Sequence, residues 1–261
     1  MSISVRGVRK LYVSRRRETL ALDRVDLDIA QGEFVAFVGP SGCGKSTLMN
    51  MVAGILPITE GTILHDGRPV QGINQNVGYM TQADAVLPWR TARDNVELPL
   101  RLRGTPRAER VARAERMLET VGLTGFGNAF PAELSGGMRK RVALAQLLAY
   151  GPKTLLLDEP FGALDAQLKL VMQELLLRIW EREKQTVIFV THDLGEAVTL
   201  AQRVVVFSGR PGRIKSIETI DLPPGPRDVF RVRFDPVFEC TYSRLWDALA
   251  PEIRREEELA A

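Results

Sequence analysis

Gly39-Pro40-Ser41-Gly42-Cys43-Gly44-Lys45-Ser46-Thr47 carries the residue types that can hold a polyphosphate. Glycines let successive backbone N–H groups turn into one concavity, and a helix beginning there adds its partial positive charge. Lys45 can reach the terminal phosphates, and Ser46 can offer a hydroxyl to Mg²⁺. The segment follows the apolar run Phe34–Val38 and precedes a helical run over residues 48–56, the context that such a loop requires. Alone it indicates a nucleoside-triphosphate binder, a property shared by GTPases, kinases and motor proteins. A second constellation is Thr154-Leu155-Leu156-Leu157-Asp158-Glu159, an apolar strand that delivers two adjacent carboxylates. Such a pair is costly unless a cation or a positioned water meets it. Asp158 suits work on Mg²⁺, and Glu159 suits polarising a water for in-line attack on a γ-phosphoryl group; a strand end with two solvated acids is the plain alternative. Leu134-Ser135-Gly136-Gly137-Met138 opens a helical run, so Ser135, Gly136 and Gly137 offer either a second phosphate-facing surface or an ordinary capped helix start.

The elements that must position these residues follow from periodicity. Val25-Asp26-Leu27-Asp28-Ile29 alternates as a half-exposed strand, whereas Phe34–Val38 reads as a buried one. Further strand-like runs at Val77–Met80, Thr154-Leu155-Leu156-Leu157, residues 187–191 and Arg203–Phe207 alternate with helical patterns, which predicts an α/β fold with a largely parallel core sheet. Residues 83–150 turn helical, with Val111, Ala114, Leu118 and Val121 on one face, and read as an inserted α-helical subdomain. The expected division is a cassette over 1–221, its core formed by 1–82 and 151–221, followed by a linker and helical tail over 222–261. In the tail, Phe238, Tyr242, Leu245, Trp246 and Leu249 fall at helical spacing and predict a helix docked on the core.

Composition narrows the classes. The longest apolar run of five residues is far below the roughly 20 of a membrane-spanning helix. The N-terminal stretch lacks a secretion signal's apolar segment, so a cytoplasmic location is expected. Two cysteines and two histidines in 261 residues make neither a disulfide framework nor a zinc site. With 35 basic against 32 acidic residues the net charge is +3, too mild to argue for nucleic acid. The runs Arg15-Arg16-Arg17 and Arg139-Lys140-Arg141 read as solvated faces, and the mixed-charge end beginning Arg254-Arg255 as a fraying terminus.

Taken together, the motifs resemble the ATP-binding cassette of ABC transporters over about residues 3 to 221, with Leu134-Ser135-Gly136-Gly137-Met138 in the place of the signature. That likeness implies a P-loop NTPase (RecA-like) core sheet, an antiparallel β-subdomain and an inserted α-helical subdomain. It implies ATP and Mg²⁺ as ligands, held by Tyr12 against adenine, by Gly39 to Thr47 on the phosphates, and by Ser46, Asp158 and Gln82 at the metal. Glu159, His192, Gln82 and Lys45 take the catalytic positions, His192 as the switch histidine and Asp165 in the D-loop Ala163-Leu164-Asp165. Taken alone, Tyr12 reads equally as a strand aromatic and His192 as a strand-end histidine. Met138 stands where the commonest signature has Gln. In this family the signature of one chain meets the ATP on another, which implies a dimer of cassettes, transmembrane permease subunits and, indirectly, a solute-binding protein, with the chain peripheral on the cytoplasmic side of the inner membrane. The segment after Gln82, with Leu87-Pro88-Trp89, together with Asp235-Pro236-Val237-Phe238, is similar to nitrate, sulfonate and taurine importers. Trp89 could there face a permease or serve the subdomain core. An exporter subunit is the alternative, and a soluble cassette ATPase acting on nucleic acid or translation is a more distant one. Because every matched residue precedes 222, the tail is expected to be dispensable for chemistry and to serve docking or subunit stability.

Overall fold

The computed structural model describes residues 2–14, 17–82, 86–162, 164–222 and 227–260. Arg15 and Arg16, residues 83–85, Ala163 and the proline-rich stretch 223–226 lie outside the described residues. Strands β1 (Ile3–Val13), β2 (Glu18–Ile29), β4 (Glu60–His65) and β5 (Arg68–Pro69) pair antiparallel in the order β2-β1-β4-β5. A second sheet has the order β10-β9-β3-β8-β7-β6, built from β3 (Phe34–Val38), β6 (Val77–Met80), β7 (Thr154–Asp158), β8 (Thr186–Val190), β9 (Arg203–Phe207) and β10 (Ile214–Thr219). Its pairings are parallel except for β10 on β9.

Every residue of β3, β7 and β8 is buried, as continuous apolar runs must be in a sheet covered on both faces. Alternation divides each strand between two cores. Phe34, Ala36, Leu155, Leu157, Val187 and Phe189 join the cluster packed by α4 (Gly136–Ala149), α5 (Ala166–Glu183) and α6 (Leu194–Leu200). Val35, Phe37, Leu156, Ile188 and Val190 face the other way, against α1 (Lys45–Val52) and the antiparallel sheet. Between β6 and β7 the chain makes α2 (Ala92–Leu102), α3 (Arg107–Thr120) and α4, with Ala114, Leu118 and Val121 buried as their spacing requires.

The tail departs in detail from its pattern. In α7 (Pro236–Ala260), Phe238, Leu245 and Leu249 join the larger core, while Tyr242 and Trp246 stay exposed. The buried stripe is completed by Thr241, so the five apolar residues at helical spacing belong to two faces. The helix extends to Ala260, through the mixed-charge end.

Candidate active site

The order β3-β8-β7-β6 brings four strand C-termini to one edge, where open α/β sheets receive their ligands. From β3 the chain enters the phosphate loop and α1; from β7 come Asp158 and Glu159; from β8, Thr191 and His192; from β6, Gln82. Tyr12, Ser41, Gly42, Gly44, Lys45, Ser46, Thr47, Gln82, Glu159 and His192 line one cleft of about 840 Å³ there, together with Thr19, Ala21 and Arg210. Gly44 caps α1 at φ +108, a conformation L side chains rarely adopt, and a Cβ there would stand 2.6 Å from Leu22 Cδ2. Gly39, Pro40 and Cys43 are buried beneath the loop, and Lys45 Nζ donates to the carbonyls of Gly39 (2.7 Å) and Pro40 (2.8 Å). Tyr12 stands at the mouth, its hydroxyl 3.5 Å from Thr47 Oγ1.

Asp158 is buried, and burial pushes its carboxyl above the ordinary range, while hydrogen bonds from the Ser46 and Tyr79 hydroxyls pull it back. The Tyr79 contact is 3.4 Å, and burial followed by the Asp158 charge drives that phenol upward. A buried carboxylate joined to the Ser46 hydroxyl is an all-oxygen donor set that fits a hard cation such as Mg²⁺. Glu159 adopts a left-handed backbone at φ +47, and its N–H donates to Val190 O at 3.0 Å. Gln82 Nε2 donates to Glu159 Oε2 at 3.1 Å, and His192 Nδ1 lies 3.6 Å from the same oxygen. Three side chains from three strands therefore converge on one point above the phosphate loop.

Beneath His192 lies a carboxylate that periodicity does not flag. Glu196, in α6, is 3% exposed; it accepts from Thr191 Oγ1 at 2.6 Å and faces Lys169 of α5 at 3.6 Å. Burial raises it above its ordinary value near 4.5. Between that value and the raised one the folded chain keeps a proton that the unfolded chain has released, so stability falls as pH rises through this window. The melting temperature of Glu196→Gln relative to wild type is accordingly expected to climb as pH rises above about 4.5. Parallel pH profiles in differential scanning fluorimetry would contradict it.

The signature residues Ser135, Gly136 and Gly137 do not line this cleft. Ser135 caps α4, accepting from Met138 N at 3.2 Å. Gly137 packs on α5, where a Cβ would meet Leu168 Cδ2 at 2.2 Å. Asp165 is likewise outside the cleft and caps α5, accepting from Leu168 N at 3.0 Å. The basic run Arg139-Lys140-Arg141 is not a solvated face. Lys140 is 6% exposed and donates to the Gln82 carbonyl at 3.3 Å, joining the signature helix to the segment after β6. Trp89 is 71% exposed and so is not subdomain core. Its segment is fixed by buried Asn95, which accepts from Leu87 N and donates to Leu87, Arg90 and Thr91 carbonyls. Sequence reasoning missed Tyr79, Asn95, Glu196 and Arg210. A buried asparagine in an amphipathic helix is a usable signal, whereas Arg210 belongs to a turn that only the fold brings to the loop.

A parallel sheet with a phosphate loop at the carboxyl ends of its strands, two carboxylates on the neighbouring strand end and a helical insertion between β6 and β7 defines a P-loop nucleotide-binding cassette. The ABC transporter family model matches residues 22–162, and the chain belongs to that family, as an ATPase subunit. It is 44% identical to a nitrate import ATP-binding protein of Synechocystis over 242 residues, covering 91% of each chain. It is 50% identical to a taurine import ATP-binding protein of Rhizobium johnstonii over 198 residues, 76% of each. Among solved structures, a dimeric post-hydrolysis state of an ATP-binding cassette bound to ADP and Pi superimposes with a TM-score of 0.75 at 32% identity, covering 85% of this chain and all of that one.

Proposed function

We propose that this chain is the ATP-hydrolysing subunit of an importer for nitrate, sulfonate, taurine or a similar small solute, working as a dimer beneath separate permease subunits on the cytoplasmic face of the membrane. The observation that carries the reading is the convergence of Gln82, Glu159 and His192 above the phosphate loop. ATP would lie with its phosphates on Gly39 to Thr47, its terminal phosphates against Lys45 and its adenine against Tyr12. Ser46, Asp158 and Gln82 would hold Mg²⁺, which when bound neutralises charge on the β- and γ-phosphates. Glu159 accepts the proton of the attacking water; Gln82 and His192 fix the carboxylate that does so. Ser135, Gly136, Gly137 and Asp165, outside the cleft of their own chain, face the ATP of a second copy. The catalytic unit is then the cassette 1–221, with 1–82 and 151–221 as its nucleotide-binding core and 83–150 as the helical subdomain, while the tail 222–261 packs into the same hydrophobic core through α7. The direction of transport is supported by the nitrate and taurine import relatives, and exposed Trp89 suits a permease contact.

MgATP at 100 times its dissociation constant is expected to stabilise the fold by about 2.7 kcal/mol, since only the folded chain forms the loop. Lys45→Ala is expected to abolish that shift in a thermal melt. An unchanged melting temperature of wild type with saturating MgATP would overturn the assignment.

A further inference from the structure

We propose that Arg210 is a positioning residue for ATP binding: the turn 208–213 straps the phosphate loop from outside, and Glu252 of the tail helix anchors the strap. The inference rests on the cleft being the ATP site. Arg210 Nε and Nη2 both donate to the Gly42 carbonyl, at 3.2 and 3.0 Å. Gly42 has φ +72, and its carbonyl shares one rigid peptide plane with the N–H of Cys43. Glycine has the least resistance to rotation of such a plane. A guanidinium that grips the oxygen therefore fixes the orientation of that peptide plane, whose Cys43 N–H donates to Pro40 O at 3.4 Å inside the loop.

The rest of the turn is built to hold Arg210 there. Gly212 runs so close to the loop that a Cβ would sit 1.9 Å from Cys43 O. Its N–H donates to Ala21 O at 2.9 Å and its carbonyl accepts from Asp23 N at 3.0 Å, which stitches the strap to β2. The turn closes on itself through Ser208 N to Arg213 O, at 2.9 Å, and Arg213 Nε reaches Asp23 Oδ2 at 3.0 Å. On its outer side Glu252 Oε2 accepts from Gly209 N at 2.9 Å, and Oε1 pairs with Lys215 at 2.7 Å. A contact path thus runs from α7 through Gly209 and Arg210 to Gly42.

Because Arg210 touches neither Glu159 nor its partners, its loss should act on binding. In steady-state ATPase assays Arg210→Ala is expected to raise KM for MgATP about tenfold and leave kcat within about twofold, the size of one lost charge-assisted hydrogen bond. Arg210→Lys keeps the charge without the fork and is expected to recover less than half of the loss on a logarithmic scale. Glu252→Gln is expected to raise KM by about threefold, a weaker effect transmitted through Gly209. Direct MgATP titration of the folded variants separates this from a structural role. A lower melting temperature of the nucleotide-free protein with wild-type affinity, or a fall in kcat at unchanged KM, overturns the proposal. Should Arg210→Ala not fold, Arg210→Lys and Glu252→Gln carry the same comparison. Wild-type and Lys45→Ala titrations are read alongside: failure of wild type to bind MgATP would remove the ATP site itself, whereas normal binding by wild type and Arg210→Ala alike removes only the strap.

Discussion

Glu159→Gln is expected to lower ATP turnover by about 10² to 10⁴-fold while MgATP binding persists, the range contributed by a positioned general base. The substitution keeps size, removes the charge that would accept a proton, and turns one acceptor oxygen into an amide donor. Geometry singles out Glu159 rather than Asp158. Asp158 is buried beside the Ser46 hydroxyl, in the position that would hold Mg²⁺. Glu159 instead turns out of the strand at φ +47 into the cleft, where Gln82 and His192 meet one of its oxygens. A left-handed backbone on a residue other than glycine is uncommon, and here it turns the chain at the end of β7. Steady-state phosphate release and equilibrium nucleotide binding, measured on the same preparation, check the prediction. Wild-type turnover in Glu159→Gln would remove Glu159 from the chemistry.

Removal of residues 226–261 is expected to unfold the chain rather than trim it. Val229, Phe238, Leu245 and Leu249 belong to the core that also holds Phe34, Leu157 and Phe189. Arg227 is partly buried and donates to Thr199 O (3.1 Å) and Ala201 O (2.6 Å), where α6 leaves its last carbonyls unpaired. Leu245→Ala alone, at a fully buried position, is expected to cost about 2–5 kcal/mol of a total near 5–15 kcal/mol. Urea denaturation of Leu245→Ala and of exposed-position Trp246→Ala makes the comparison, the second expected to change little. A truncated chain that melts cooperatively near the wild-type temperature would contradict it. Motif positions make the tail dispensable for chemistry and assign it docking or subunit stability; the packing of α7 fits the second of these.

The contrast shows where the sequence is informative. The phosphate loop and the paired carboxylates are local patterns beside particular strand ends. Leu134-Ser135-Gly136-Gly137-Met138, by contrast, opens α4 and His192 alone reads as a strand-end histidine, both given their roles only by the family resemblance. Strands whose faces are both buried, such as β3 and β8, are legible because their apolar runs are unbroken. Contacts made through side chains of distant segments are not legible. Lys140 reads as one member of a basic run until α4 turns it toward the Gln82 carbonyl. Arg210 reads as a turn residue until β9 and β10 bring it to Gly42. Tyr242 and Trp246 share helical spacing with Leu245, yet only three-dimensional packing decides which stripe of α7 faces inward.

The proposed shared site makes one demand that the single chain cannot meet: Ser135 lies outside the cleft lined by Gln82, Glu159 and His192. Size-exclusion chromatography of Glu159→Gln with MgATP tests this directly, because blocked hydrolysis leaves nothing to release an ATP held between two copies. The expected result is a monomer without nucleotide and a dimer with MgATP, lost when Ser135→Arg is added to the same chain. A Glu159→Gln protein that hydrolyses slowly yet remains monomeric with MgATP, or one whose dimer survives Ser135→Arg, would contradict the shared site.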